Sequence, residues 1–170
     1  DVRVQNEAVK INPENQTVTI KDLKEGREYE ESYDYLVIAT GSSPVVPPIP
    51  GIDGPDIYTL WTVPDTDRIK KVIETKKPKT AAVIGGGFIG LEMAENLHRA
   101  GLEVSIVEMQ DQVMAPLDFE MAQFLHENIE MNGVSLILGD GVASFEHKGG
   151  KTSITLNSGK ELQTDMVLLS

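Results

Sequence analysis

Hydrophobic and polar positions follow a short period in the first part of the chain. Apolar residues there come in brief stretches broken by Asn, Pro and charged residues, a pattern typical of strands joined by turns. We predict strands at residues 2–4, 9–11, 18–20 and 35–39. The charged stretch 21–31 is interpreted as a hairpin turn.

A stretch rich in proline and glycine, residues 42–65, comes next. Closely spaced prolines and glycines exclude long regular elements, so we interpret this stretch as a linker. Asp65 is a candidate N-cap for a helix. The spacing of Ile69 and Ile73 predicts that this helix runs until Pro78.

The pattern from Thr80 onward predicts a strand, a turn, a helix and a second strand. Residues 81–84 form a short apolar strand that leads into Gly85-Gly86-Gly87-Phe88-Ile89-Gly90, a match to G-x-G-x-x-G. A helix follows and ends near Gly101, and residues 103–108 form the second strand. One stripe of the helix is predicted to face inward: Ile89, Met93 and Leu97.

The three glycines of the motif each have a mechanical reason. Gly85 permits the tight turn out of the strand, Gly87 lets a pyrophosphate approach the backbone, and Gly90 lets helix and strand pack closely. The free N–H groups at Phe88 and Ile89 face an anion at the positive end of the helix dipole. The turn therefore predicts a dinucleotide site.

An acidic residue, Glu108, ends the second strand. It lies at position 108, 18 residues after Gly90, close to the spacing of about 20 in dinucleotide-binding units. Its carboxylate would accept hydrogen bonds from the adenosine ribose and repel a 2′-phosphate, and the following Met109 and Gln110 cannot neutralise that phosphate. NAD(H) is therefore favoured over NADP(H). The alternative is a glycine turn with another use, as in a methyltransferase, although such turns usually lack so hydrophobic a helix start.

The remaining residues predict one more helix and several short strands. The helix covers residues 118–132, with Met121, Leu125 and Ile129 facing inward. Strands are predicted at residues 134–138, 142–146, 152–156 and 165–170. The predicted fold class is therefore α/β, with a Rossmann-like βαβ unit followed by a β-meander.

Charge and composition exclude several function classes. The chain has 15 basic and 27 acidic residues, a net charge of −12, which argues against a binder of nucleic acid or of anionic membranes. It has no cysteine, so these residues hold no disulfide, thiolate metal cluster or thiol nucleophile. The histidines, His98, His126 and His147, are scattered, and we predict no metal site. We expect a cytoplasmic protein.

Several segments together resemble a known family. The sequences of residues 35–42 and 85–94, with the proline-rich linker between them, resemble FAD-dependent pyridine nucleotide-disulfide oxidoreductases. The most similar branch is that of coenzyme A-disulfide reductase, NADH oxidase and NADH peroxidase, which residues 6–9 and 165–170 also resemble.

The resemblance implies a domain organisation in which an NAD(H) domain interrupts an FAD domain. Residues 1–50 would be the C-terminal part of the first FAD-domain segment, residues 51–78 the linker and connecting helix, and residues 79–170 the NAD(H)-binding domain. Both ends of the chain would then continue in a longer protein, which the resemblance implies is a homodimer.

It also implies an activity and residue roles. NADH would pass hydride through the flavin to a cysteine redox centre that reduces a disulfide such as coenzyme A disulfide, a peroxide or oxygen. Residues near the cofactors would be Ala39, Thr40 and Gly41 beside the FAD, Ala8 at its adenine, and Glu92 toward the nicotinamide–flavin contact. From the residues alone, Glu92 could instead complement the helix dipole.

Four features of that family are absent from these residues: the first FAD glycine motif, the redox cysteine, the later Gly-Asp flavin motif and the dimerisation domain. The isolated chain is therefore expected to be inactive. Two alternatives stay open, namely a non-catalytic dinucleotide sensor and a cysteine-free flavoprotein reductase that feeds a ferredoxin-like protein or a quinone.

Overall fold

The computed structural model describes residues 1–170, which divide into two compact units. The N-terminal unit is Asp1–Ser42 and the larger unit is Ser43–Ser170. No helix of either unit has the length and apolar character that crossing a membrane requires.

The N-terminal unit is one antiparallel sheet. Its strands are β1 (Asn6–Asn12), β2 (Thr17–Asp22) and β3 (Glu28–Ser32), in the order β1-β2-β3. The β2–β3 turn contains Gly26, whose φ of +72° favours glycine. The charged stretch predicted as a turn thus contains a strand as well.

Two predicted strands of this unit are wrong. Residues 2–4 and 35–39 lie outside any strand, and Tyr35 is 94% exposed. An apolar run becomes a strand only when a neighbouring strand pairs with its backbone. The three strands of this unit pair only with one another.

The larger unit contains eight strands and three helices. In chain order they are β4 (Ile57–Thr59), α1 (Val63–Lys76), β5 (Thr80–Ile84), α2 (Phe88–Arg99), β6 (Glu103–Val107), α3 (Phe119–Met131), β7 (Ser135–Ile137), β8 (Val142–Lys148), β9 (Lys151–Leu156), β10 (Glu161–Thr164) and β11 (Met166–Leu169).

A parallel five-stranded sheet forms the centre of the larger unit, in the order β4-β11-β5-β6-β7. The chain runs outward from β5 to β7 and returns to β11 on the other side of β5. The strand order therefore reverses between β5 and β11, and ligands of open α/β sheets bind at the carboxyl ends of strands at such a point.

Two hydrophobic cores cover the two faces of this sheet. The helix-side core joins the sheet to α1, α2 and α3, and the other joins it to the antiparallel sheet β10-β9-β8. Strand β5 contributes Ala81 and Val83 to the first core and Ala82 to the second. Burial on both faces explains why β5 is a continuous apolar run, as predicted. The α/β class and the meander of β8, β9 and β10 agree with the sequence.

The predicted linker proves to contain regular structure. Strand β4 lies inside it and pairs with β11, Ile57 lying opposite Val167. Helix α1 begins at Val63 with Thr62 as its N-cap, and Asp65 is the third helical residue of a capping box rather than the N-cap. The final strand, β11, joins the central sheet instead of the meander.

The predicted inward stripes of two helices are right in part. On α2, Leu97 is buried and Met93 packs against the core as predicted, whereas Ile89 is 42% exposed and Ala94 is buried instead. On α3, Ile129 packs against the core as predicted, whereas Met121 is 54% exposed and Ala122 and His126 are buried. A shift of one position rotates a helix face by about 100°, so a stripe chosen from large side chains alone misses small or polar residues that face the core.

Candidate functional site

The glycine turn lies at the point where the strand order reverses. It leaves β5 at Gly85, whose φ is +112° and whose N–H donates to the carbonyl of Val107 at 2.8 Å. A Cβ atom on Gly85 would overlap the carbonyl oxygen of Ser170, just beyond β11. Only glycine therefore fits between the ends of β5 and β11.

Gly90 brings α2 into direct contact with this turn. A Cβ atom at Gly90 would overlap the carbonyl oxygen of Gly85 and lie 2.7 Å from Oγ of Ser170. The Ser170 hydroxyl itself donates toward the carbonyls of Ile84 and Gly85. The first turn of α2 therefore rests on the ends of β5 and β11.

Gly87, by contrast, faces open space. It is the N-cap of α2, no atom lies within 4 Å of its would-be Cβ, and its φ of −79° suits any residue. No side chain caps the helix, and the first helical bond runs from Leu91 N–H to Gly87 O at 3.0 Å. The N–H groups of Phe88 and Ile89 thus have no partner within the helix, which leaves a site for an anion.

Glu108 is held in a fixed orientation beside this opening. Its Oε2 accepts the N–H of Gly86 at 2.6 Å, and its Oε1 accepts the N–H of Gln110 at 2.8 Å. Its own N–H donates to the carbonyl of Ile137 at 2.8 Å. Each carboxylate oxygen can accept more than one hydrogen bond, so the carboxylate keeps acceptor capacity for a ligand.

The loop between β6 and α3 covers Gly86 from the other side. The N–H of Met114 donates to the carbonyl of Gly86 at 2.9 Å. A Cβ on Gly86 would lie 2.8 Å from Cγ1 of Val113 and 3.2 Å from Oε2 of Glu108. Gly86 occupies a position of the motif that accepts any residue, so the motif predicts no role for it. The run of three glycines was nevertheless a signal that this position is crowded.

The other predicted site residues lie elsewhere. Glu92 is exposed on the second turn of α2, at a groove of about 340 Å³ between α2 and α3. Glu92 is thus beyond the first turn of α2, whereas a carboxylate that complements the helix dipole would lie within that turn. Ala8 lies in β1 opposite Ile20 and is exposed, and residues 39–41 are exposed outside any strand.

Known proteins resemble this chain in sequence and in fold. Residues 1–170 match the sequence profile of the pyridine nucleotide-disulphide oxidoreductases. The chain belongs to this family. An NADH oxidase of the family, from Methanocaldococcus jannaschii, is 36% identical over 171 residues, which cover 100% of this chain and 38% of that protein.

Solved structures of family members have the same fold. The reduced CoADR-RHD of Bacillus anthracis superposes with a TM-score of 0.85 at 50% identity, over 100% of this chain and 30% of that one. A water-forming NADH oxidase from Lactobacillus brevis, bound to NADH, gives 0.81 at 31% identity, over 96% of this chain and 36% of that one. The chain thus spans less than half the length of these relatives.

These matches confirm the resemblance found in the sequence. The relatives are oxidoreductases with the names that the sequence suggested, and the fold agrees with a Rossmann-like domain. This chain corresponds to part of an oxidoreductase of that family.

Proposed function

We propose that residues 79–170 are the NAD(H)-binding domain of an FAD-dependent oxidoreductase. In this proposal residues 1–50 belong to the FAD domain and residues 51–78 connect the two. The observation that carries it is the carboxylate of Glu108, held by Gly86 at the side of an uncapped helix N-terminus. A cytoplasmic homodimer is the form in which we expect the full-length protein to act.

The residues of the site fit a dinucleotide. The open approach over Gly87 leaves room for a pyrophosphate, and the N–H groups of Phe88 and Ile89 would hold it. The ribose hydroxyls would donate to Glu108. Because two hydrogen bonds already fix that carboxylate, it cannot turn away from a 2′-phosphate, which supports NADH over NADPH.

The N-terminal unit offers open backbone for a flavin. Ala8, Ala39, Thr40 and Gly41 are exposed, and no atom lies within 4 Å of a Cβ at Gly41, whose φ is +73°. These residues would border the FAD, while Glu92 would face the nicotinamide–flavin contact. Such a contact requires both rings to be held face to face and shielded from water.

The bound dinucleotide would supply a hydride to the flavin, and the flavin would pass the electron pair on to a cysteine redox centre. That centre lies outside these residues, which contain no cysteine. We propose a disulfide acceptor such as coenzyme A disulfide, with peroxide or oxygen as the other acceptors that this chemistry serves. The 50% identity to the Bacillus anthracis CoADR-RHD supports the disulfide.

The test is reduction of the flavin in the full-length protein. Under anaerobic conditions NADH is expected to bleach the flavin absorbance much faster than NADPH at equal concentration. Coenzyme A disulfide, peroxide and oxygen are then added separately to the reduced enzyme, and the fastest reoxidation identifies the acceptor class. Failure of NADH to reduce the flavin contradicts the proposal.

A further inference from the structure

One buried histidine lies behind the nucleotide site and has no role in the chemistry proposed above. His126 of α3 is 8% exposed, and its Nε2 accepts a hydrogen bond from the N–H of Val113 at 3.2 Å. An Nε2 that accepts carries no proton, so the ring is a neutral imidazole protonated at Nδ1. His126 therefore provides the acceptor for a backbone group of the loop between β6 and α3.

Val113 transmits this contact to the glycine turn. Val113 is 0% exposed, and its Cγ1 lies 2.8 Å from the position that a Cβ on Gly86 would take. The next residue, Met114, donates its N–H to the carbonyl of Gly86 and has a φ of +52°, a conformation that L-residues adopt only when their surroundings hold them. The loop is thus held by His126 on one side and by Gly86 on the other.

Gly86 connects this loop to the carboxylate of Glu108. Gly86 accepts from Met114 through its carbonyl and donates through its N–H to Oε2 of Glu108 at 2.6 Å. A displacement of the loop would therefore move Gly86 and release one of the two hydrogen bonds that orient Glu108.

We propose that His126 is a positioning residue for nucleotide recognition, which acts through Val113 and Gly86 to hold the Glu108 carboxylate in place. This inference rests on the proposed function, because it assumes that Glu108 distinguishes NADH from NADPH. Loss of the acceptor leaves the buried N–H of Val113 unpaired, which favours displacement of the loop. NADH affinity then falls more than NADPH affinity, so selectivity decreases.

Three variants separate the hydrogen bond from simple packing. His126→Leu fills the space without an acceptor, whereas His126→Gln keeps a carbonyl oxygen that can accept from Val113. His98→Leu is the matched control, because His98 lies in the groove between α2 and α3, which no residue of the glycine turn lines. His126→Phe is a second variant without an acceptor atom if His126→Leu does not fold.

Each protein is titrated calorimetrically with NADH and with NADPH. His126→Leu is expected to bind NADH roughly tenfold more weakly, the effect of losing one hydrogen-bond partner of a buried group. His126→Gln and His98→Leu keep the wild-type affinity and selectivity. Amide exchange at Val113 is faster in His126→Leu than in the wild type and His126→Gln.

The outcomes distinguish the two proposals. Wild-type selectivity that persists in a folded His126→Leu protein, or a loss in His126→Gln as large as in His126→Leu, overturns the role of His126 alone. A wild-type protein without preference for NADH overturns the proposed function and this role with it. Unchanged exchange at Val113 in His126→Leu overturns the proposed hydrogen bond whatever the nucleotide result.

Discussion

The three motif glycines differ in what surrounds them. Gly85 and Gly90 have backbone atoms where a side chain would begin, whereas Gly87 faces open space at an ordinary φ. Gly85 and Gly90 are therefore required by the fold itself. Gly87 is free of that requirement, so a ligand that passes close to the backbone explains its lack of a side chain.

Alanine substitutions are expected to separate these two roles. Gly87→Ala should lower the free energy of unfolding by no more than about 1 kcal/mol, because alanine is a poorer N-cap than glycine. It should weaken NADH binding, because the added methyl group projects into the space for the pyrophosphate. Gly90→Ala should destabilise the fold by about 1–3 kcal/mol, the typical effect of overpacking. Urea denaturation and calorimetric titration of both variants measure the contrast, and a Gly87→Ala protein with wild-type NADH affinity would contradict this account of the turn.

The sequence predicts the residues of the motif but not the residues that hold them in place. The spacing of Gly85, Gly90 and Glu108 indicates the turn and its acid directly. The contacts of Gly86 with Val113, and of Val113 with His126, connect residues whose separation follows no motif. A buried histidine that accepts from a backbone N–H looks the same in sequence as one on a solvated helix face.

Among the elements, the joint between β10 and β11 fixes the start of β5. Asp165 accepts hydrogen bonds from the N–H groups of Lys79 and Thr80 at 2.8 and 3.0 Å, and from the Thr80 hydroxyl at 3.1 Å. In return, the N–H of Asp165 donates to that hydroxyl at 3.0 Å. This side chain therefore sets the register of two neighbouring parallel strands.

Removal of this carboxylate should loosen the sheet. Asp165→Ala leaves two backbone N–H groups without their acceptor and is expected to lower the free energy of unfolding by about 1–3 kcal/mol. Glu161→Ala, at an exposed position on β10, is the control and should change it by less than about 0.5 kcal/mol. Equal unfolding midpoints in urea for the two variants would contradict a structural role for Asp165.

The same carboxylate predicts a pH dependence. Burial by itself raises the pKa of Asp165, but hydrogen bonds from Lys79 and Thr80 outweigh it and hold the pKa below its ordinary value. A lowered pKa in the folded state means that the stabilisation is present above the unfolded pKa and is lost as pH falls through the folded one. The loss of stability on acidification should therefore be smaller in Asp165→Asn than in the wild type, as urea unfolding at neutral and acidic pH would show. An equal loss in both proteins would contradict the assignment.

The elements that the sequence predicts well are those with local signals. Helix α2 follows from the glycine turn before it and from Gly101 after it, which has a φ of +93°. Strand β4 has only three residues, and its partner β11 lies far along the chain, so no local pattern marks it. The separate run at residues 35–39 has a local strand signal but no pairing strand, and it forms none.

For the whole molecule, the division after Ser42 has a functional consequence. All residues proposed to hold the dinucleotide lie within Ser43–Ser170, a unit with its own two cores. A protein of residues 43–170 is therefore expected to unfold cooperatively and to bind NADH within about threefold of the affinity of the 170-residue chain, the scatter typical of independent contributions. Cooperative unfolding with loss of NADH binding would show that the N-terminal unit contributes to the site.

The α/β class and the βαβ unit follow from the sequence because each element carries its own period and turn residues. The strand order of the central sheet does not follow from the sequence, because the position of β11 depends on how the meander brings the chain back. The resemblance to the oxidoreductase family covers both units, whereas periodicity alone predicts only separate strands in the first unit and the βαβ arrangement in the second.

In the proposed function, Glu108 makes this chain a binder of NAD(H) rather than NADP(H). The direct measurement is a calorimetric titration of the wild type and of Glu108→Gln with NADH and NADPH at equal concentrations. Glutamine keeps the shape and one of the two acceptor oxygens but removes the charge that repels a 2′-phosphate. We expect the wild type to bind NADH at least about tenfold more tightly than NADPH, a difference of about 1.4 kcal/mol, and Glu108→Gln to lose most of this preference. Equal binding of the two nucleotides by the wild type would contradict the account.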